Sequence, residues 1–167
     1  MMAPGITSLA LHSGSADHTR AIGRALARRL RAGDVLLLHG DLGAGKTTLA
    51  QGIGEGLLVR GAVQSPTFVL VDEHEPAAGG LALNHVDLYR LDRPEDVAAI
   101  GFDEYLDPAG GVTIVEWPER AGDLLPDAYL LVELHQAGDG RSIVLAPHAD
   151  ATTADRWLAG LAEAIED

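Results

Sequence analysis

One stretch, Gly40-Asp41-Leu42-Gly43-Ala44-Gly45-Lys46-Thr47, constrains this chain more than any other. It meets the pattern G-x-x-x-x-G-K-[ST] through Gly40, Gly45, Lys46 and Thr47. Glycines in such a loop let backbone N–H groups turn toward an anion at positions where a Cβ would obstruct it. The apolar run Val35, Leu36, Leu37, Leu38 leads in, as a strand buried on both faces would. An amphipathic stretch from residue 46 to about 57, with Leu49 and Ile53 inward, leads out as a helix whose positive end points back at the loop. That context implies a bound triphosphate. Lys46 would reach its β- and γ-phosphates, and the Thr47 hydroxyl would sit on Mg²⁺. Lys46 is the only lysine in the chain; arginine supplies every other cationic side chain. A compact ammonium and a broad guanidinium fork are not interchangeable there.

The remaining pattern predicts one α/β domain over residues 5–166. A first strand spans residues 6–11, and a helix capped by Ser13 or Ser15 runs to about Arg31. Strands follow at 68–71, 81–86 and 112–115, with a turn-rich connection over 72–80 and a helix opening at Pro94. Strands at 128–134 and 142–145 are joined by Gly138-Asp139-Gly140, and one last helix from about Thr153 places Trp157, Leu158, Leu161 and Ile165 on one face. The fold class expected is the three-layer P-loop NTPase fold, a mostly parallel sheet with helices on both faces.

A phosphate loop needs a carboxylate at a nearby strand end to hold the metal, and two candidates terminate apolar runs. Asp87 follows the strand at 81–86, and Glu116 follows the strand at 112–115. Either can orient or deprotonate a water, and the sequence does not divide that work between them. Thr67 reads equally as a switch hydroxyl or a turn residue after Pro66. Trp117 reads as a packing residue or a contact for nucleotide or partner. The histidines show no ligand spacing, so His85 is expected at the surface or satisfied in the core. Arg90, Arg93, Arg120 and Arg141 are the arginines placed to meet transferred charge.

A net charge of −13 repels a polyanion over most of the surface, so any nucleic acid would be held by a partner. The absence of cysteine excludes disulfides and thiolate metal sites. No apolar run approaches the ~18 residues of a membrane span, and the N-terminus does not read as a secretory signal. A cytoplasmic location without membrane attachment is the expectation.

Four phrases occur in order: Gly40 to Thr48, Ser65-Pro66-Thr67-Phe68, His85-Val86-Asp87-Leu88-Tyr89-Arg90-Leu91 and Val115-Glu116-Trp117-Pro118-Glu119. Together they resemble the TsaE (YjeE) family, bacterial P-loop ATPases of tRNA threonylcarbamoyladenosine biosynthesis, over roughly residues 13–145. Phe68 stands where that family commonly has tyrosine. The resemblance implies ATP and Mg²⁺ as ligands and ATP hydrolysis stimulated by two partners, TsaB and TsaD. Those partners would reach the tRNA and modify the adenosine next to the anticodon. It further implies that Asp41, Leu42, Gly43, Ala44, Gly45, Lys46, Thr47 and Thr48 hold the nucleotide. Thr47, Glu116 and Asp87 would serve the metal, with Lys46, Asp87 and Glu116 catalytic. Trp117 would lie near the nucleotide, and Ser15 to Thr19 with Gly140 and Arg141 would approach the base. The other classes open to such a chain are a small-molecule kinase, for which no arginine-rich lid is evident, and an assembly module that binds ATP without hydrolysing it.

Overall fold

The computed structural model describes residues 8–41, 43–64, 70–106 and 110–165. Seven strands form one sheet in the order β1-β7-β6-β2-β5-β4-β3. They are β1 (Leu9–Ser13), β2 (Val35–His39), β3 (Val71–His74), β4 (Ala82–Asp87), β5 (Gly111–Glu116), β6 (Tyr129–Ala137) and β7 (Gly140–His148). The central strands β6, β2, β5 and β4 are mutually parallel. Antiparallel partners close both margins, β7 and β1 on one side and β3 on the other.

The apolar run Val35 to Leu38 of β2 is explained by two cores, one on each face. Leu36 and Leu38 join Leu83, Ile114, Leu130 and Val132 against helices α1 (Ala16–Ala27) and α2 (Lys46–Leu57). Trp157 and Leu158 of α4 (Ala151–Leu158) and Leu161 of α5 (Leu161–Ala164) complete that layer. Val35 and Leu37 face the other way, with Val86, Val115, Val97 of α3 (Pro94–Ala99) and Phe102. Helices thus cover both faces, as the three-layer reading requires.

Three local expectations are corrected. The turn-rich connection expected over 72–80 contains most of β3, because Asp72, Glu73 and His74 pair with His85, Asn84 and Leu83 along the sheet margin. The first part of the strand expected at 68–71 lies outside the described residues. The first helix ends at Ala27 rather than Arg31, its last amides turning back in i→i−3 bonds from Arg29 to Leu26 and from Leu30 to Ala27. The single C-terminal helix is two helices, broken at Gly160, whose φ of 71° an L-residue rarely adopts.

Ser15 caps α1 by accepting from the His18 amide at 3.0 Å, while Ser13 is committed instead to Thr19 at 2.6 Å. The two major helices meet backbone to backbone. A Cβ placed on Gly52 of α2 would lie 2.3 Å from the Arg20 carbonyl of α1, and one on Gly23 would lie 2.6 Å from the Leu49 carbonyl. Helical glycine normally costs roughly 0.5–1 kcal/mol relative to alanine. Here the contact leaves no room for the methyl group, and α1 is seated directly on the helix that leaves the loop.

At the start of β2, buried Asp34 accepts from both Arg156 amino groups at 2.7 and 3.0 Å, from the Arg31 amide at 2.8 Å and from the Trp157 indole at 3.1 Å. Burial alone would raise its pKa; the Arg156, Arg31 and Trp157 donors outweigh burial and hold it below the usual carboxylate value. Its stabilising contribution is therefore complete above the unfolded value near 3.9 and fades as pH falls through the lower folded value.

Two outcomes follow for urea unfolding. Gly52→Ala is expected to lower stability by roughly 1–3 kcal/mol, the usual cost of overpacking, where an open helix would show a gain. Asp34→Asn is expected to lower it by roughly 1.5–3 kcal/mol at pH 7, the range for hydrogen bonds to a charged group. That deficit should shrink as acidification passes below about 3.9; a pH-independent deficit would contradict the charged arrangement.

Candidate functional site

β2 delivers the chain to the glycine loop, and Gly45, at φ 105°, caps the N-terminus of α2. The Gly45 carbonyl accepts the first helical bond, from Leu49 at 2.9 Å. Gly43 is also left-handed, at φ 80°. Lys46 is therefore the first residue of a twelve-residue helix, and its side chain folds inward. The residue is only 5% exposed, and its buried Nζ has no hydrogen-bond partner among the described residues. Nζ lies 4.0 Å from the centroid of the Trp117 ring, a cation–π contact. Burial pulls the lysine pKa below its ordinary value, against the opposing charges of Glu116, Asp87, Glu119 and Asp41.

The carboxylates arrive from two adjacent parallel strands in register, Asp87 of β4 opposite Glu116 of β5. Asp87 Oδ1 accepts the Tyr89 amide at 2.9 Å. Burial raises the Asp87 pKa and the Glu116 charge adds to the rise, opposed by the Tyr89 amide, His85 and Lys46. Glu116 is 3% exposed, and its Oε2 lies 2.5 Å from Nε2 of the fully buried His85. The chain then turns sharply: Trp117 sits at φ 59°, ψ 50°, a left-handed conformation costing a non-glycine residue about 1–2 kcal/mol. That turn lays the indole between Lys46 and the Tyr89 ring, whose centroid is 4.9 Å away. Arg120 stands 5.9 Å from the indole.

On the other side of the loop lies a cleft of about 140 Å³ lined by Ser15, Thr19, Gly45, Thr48 and Arg141, among others. Arg141 Nη2 donates to the Gly43 carbonyl at 3.2 Å, and Nη1 donates to the Gly140 carbonyl at 3.0 Å. The β6–β7 hairpin is thereby tied to the loop.

The fold brings together Lys46, Asp87, Glu116 and Trp117 on one side of the loop, and Gly45, Thr48 and Arg141 on the other. Asp41 is exposed and its carbonyl accepts the Ala44 amide at 3.0 Å; Ala44 itself is buried, and Thr47 is half-buried as the second residue of α2. Leu42 and Thr67 lie outside the described residues. Sequence reasoning missed Tyr89 as the partner of Trp117 and His85 as the partner of Glu116. The second had a signal, since His85 stands two residues before Asp87 and so shares its face of β4.

A polyphosphate fits this arrangement on one observation: the buried, unpartnered ammonium at the head of a helix needs an anion. Asp87, Glu116 and the Thr47 hydroxyl are the hard oxygen donors that Mg²⁺ prefers. Among the described residues no group of three or more His, Asp or Glu could hold a metal by itself. A cation here would therefore draw its other ligands from phosphate or water.

An apolar parallel strand, a glycine loop opening a helix and carboxylates on neighbouring strand ends define a P-loop NTPase-like α/β fold. The sequence model of the family described as threonylcarbamoyl adenosine biosynthesis protein TsaE matches residues 13–143. Two relatives carrying the name tRNA threonylcarbamoyladenosine biosynthesis protein TsaE are similar over most of the chain. The Streptomyces coelicolor protein is 46% identical over 122 residues, 71% of this chain and 79% of its own. The Bacillus subtilis protein is 43% identical over 124 residues, 74% of this chain and 75% of its own. Among solved structures, the crystal structure of Bacillus subtilis YdiB matches with a TM-score of 0.74 and 32% identity, over 98% of this chain and 97% of that one. This chain belongs to the TsaE family. Among the described residues no helix is long and apolar enough to cross a membrane.

A buried unpartnered ammonium is a burden on the ligand-free fold. Lys46→Met is expected to raise stability by roughly 1–2 kcal/mol, the cost of an unsatisfied buried donor less its attraction to the ring. Because folding lowers the lysine pKa, the wild-type protein gains stability as pH climbs through the folded value toward about 10.4. The advantage of Lys46→Met over wild type should therefore narrow in alkali, as read from thermal unfolding across pH.

Proposed function

We propose that this chain is the ATP-binding and ATP-hydrolysing component of the machinery that makes N6-threonylcarbamoyladenosine in tRNA. It acts with TsaB and TsaD homologues on the adenosine next to the anticodon. The observation that carries the reading is the buried Lys46 ammonium, against an indole face and without a hydrogen-bond partner among the described residues, in a chain of the TsaE family.

In this reading the loop amides from Gly43 to Thr48, Asp41 and Leu42 beside them, and the positive end of α2 cradle the phosphates. Lys46 leaves the Trp117 ring and donates to β- and γ-phosphate oxygens, recovering the hydrogen bonds it lacks in the free protein. Thr47, Glu116 and Asp87 hold Mg²⁺, which supplies charge neutralisation on the transferred phosphoryl group. The Tyr89 amide fixes one Asp87 oxygen and leaves the other to hold and orient a water for in-line attack. In the free protein burial and the neighbouring Glu116 raise the Asp87 pKa above the usual carboxylate value, as suits a group that accepts that water's proton. Arg141 and the cleft beside Ser15 and Thr19 receive the base. The acidic surface, net charge −13, agrees with tRNA reached through partners rather than held tightly by this chain alone. The protein works in the cytoplasm, where its tRNA substrate resides.

Reconstitution tests this directly. ATP turnover by the full chain should be slow alone and rise sharply when TsaB and TsaD are added, and tRNA modification should continue over several cycles only with this protein present. Lys46→Ala should abolish ATP-induced thermal stabilisation and reduce stimulated turnover by roughly 10²-fold, the scale for losing one charge-stabilising donor. Phosphorylation of a small metabolite without partners would overturn the proposal, as would ATP stabilisation undiminished in Lys46→Ala.

A further inference from the structure

His85 lies outside every role assigned so far, and its placement is specific. Leu83, His85 and Asp87 alternate onto the face of β4 that lies in the larger core beneath α2, and Ile114 and Glu116 occupy the same face of β5. His85 is fully buried one step below Asp87, and its Nε2 reaches diagonally across to Glu116 Oε2 at 2.5 Å. A carboxylate only accepts, so the ring donates from Nε2. Nδ1 is buried with no hydrogen-bond partner among the described residues. An imidazole kept in an apolar layer with one nitrogen unsatisfied is a poor filler of space, since a leucine would leave no polar atom stranded.

We infer that His85 is a positioning residue for Glu116. By binding Oε2 it stops the carboxylate from rotating and presents Oε1 to the Mg²⁺ that accompanies the nucleotide. This rests on the reading of Glu116 as a metal-side carboxylate, and it goes beyond that reading by assigning the group that orients it. Partners behind a ligating carboxylate are typically worth roughly 10–100-fold in metal affinity. The bond forms between the chain's own groups and already exists in the free protein, so its contribution is to hold the carboxylate ready rather than to touch the ligand.

The test is binding rather than turnover. The Mg²⁺ concentration that half-maximally enhances ATP affinity is measured by calorimetry on the full chain, alongside ATP affinity in EDTA. His85→Leu should raise the half-effective Mg²⁺ concentration roughly tenfold or more and leave the EDTA affinity nearly unchanged. His85→Gln, whose amide Nε2 replaces the lost donor, should recover most of the difference. Asparagine places its amide at the Nδ1 side instead, so His85→Asn should not recover it. If His85→Leu fails to fold, the Gln and Asn variants carry the comparison. Wild-type Mg²⁺ dependence in His85→Leu, or equal behaviour of the Gln and Asn variants, overturns the inference. Glu116→Gln separates the two readings. Unchanged Mg²⁺ dependence there removes Glu116 from the metal and the inference with it, whereas a shift there with none in His85→Leu defeats the His85 role alone.

Discussion

β4 and β5 end level, one residue short of β2, and the rest of the site follows from that register. Leu38 of β2 lies opposite Glu116 of β5, which lies opposite Asp87 of β4. Since side chains alternate along a strand, Asp87 and Glu116 emerge together on the face covered by α2, and His85 follows beneath. A slip of one residue in either pairing would send one carboxylate to the opposite face. Both faces of these strands are buried. Leu36, Leu83 and Ile114 belong to one core, and Leu37, Val86 and Val115 belong to the other.

The site so assembled is poorly satisfied as a piece of folded protein. Lys46 gives up water for an indole face, Asp87 is pushed toward its protonated form, and Trp117 holds a backbone conformation that disfavours any side chain. Such features persist only where the surroundings over-determine them. Around Lys46 the glycine contacts seat α1 closely against α2, the helix that Lys46 opens. Arg141 adds a tether from the β6–β7 hairpin to the loop itself.

How much of this was legible depends on the range of the interaction. The bounds of β2 and α2 and the loop between them were readable because composition decides them locally: an apolar run, two left-handed glycines and a helix start. Asp87 and Glu116 were readable because each ends an apolar strand. Their adjacency followed only from the strand order, which places β4 beside β5. Arg141 on the Gly43 carbonyl and the tilted contact of Tyr89 with Trp117 join residues far apart or turned by a backbone no pattern announces. The left-handed Trp117 is the plainest case, for nothing in Glu-Trp-Pro distinguishes an extended exit from β5 from a reversal over Lys46. The C-terminal break at Gly160 was missed for a different reason: apolar spacing continues through it, and only the dihedral interrupts the helix.

The C-terminal segment shows how β2 is anchored at both ends. α4 and α5 lie beyond the residues matched by the family model, yet Trp157, Leu158 and Leu161 fill the larger core. Arg156 grips Asp34 where β2 begins, and the glycine loop lies where β2 ends. An ion pair with four converging donors fixes the near end of the strand, and Arg141 secures the loop at the far end. The two anchors differ in kind. The first is saturated with hydrogen bonds and has no capacity left for a ligand, whereas the second keeps an ammonium and two carboxylates in reserve.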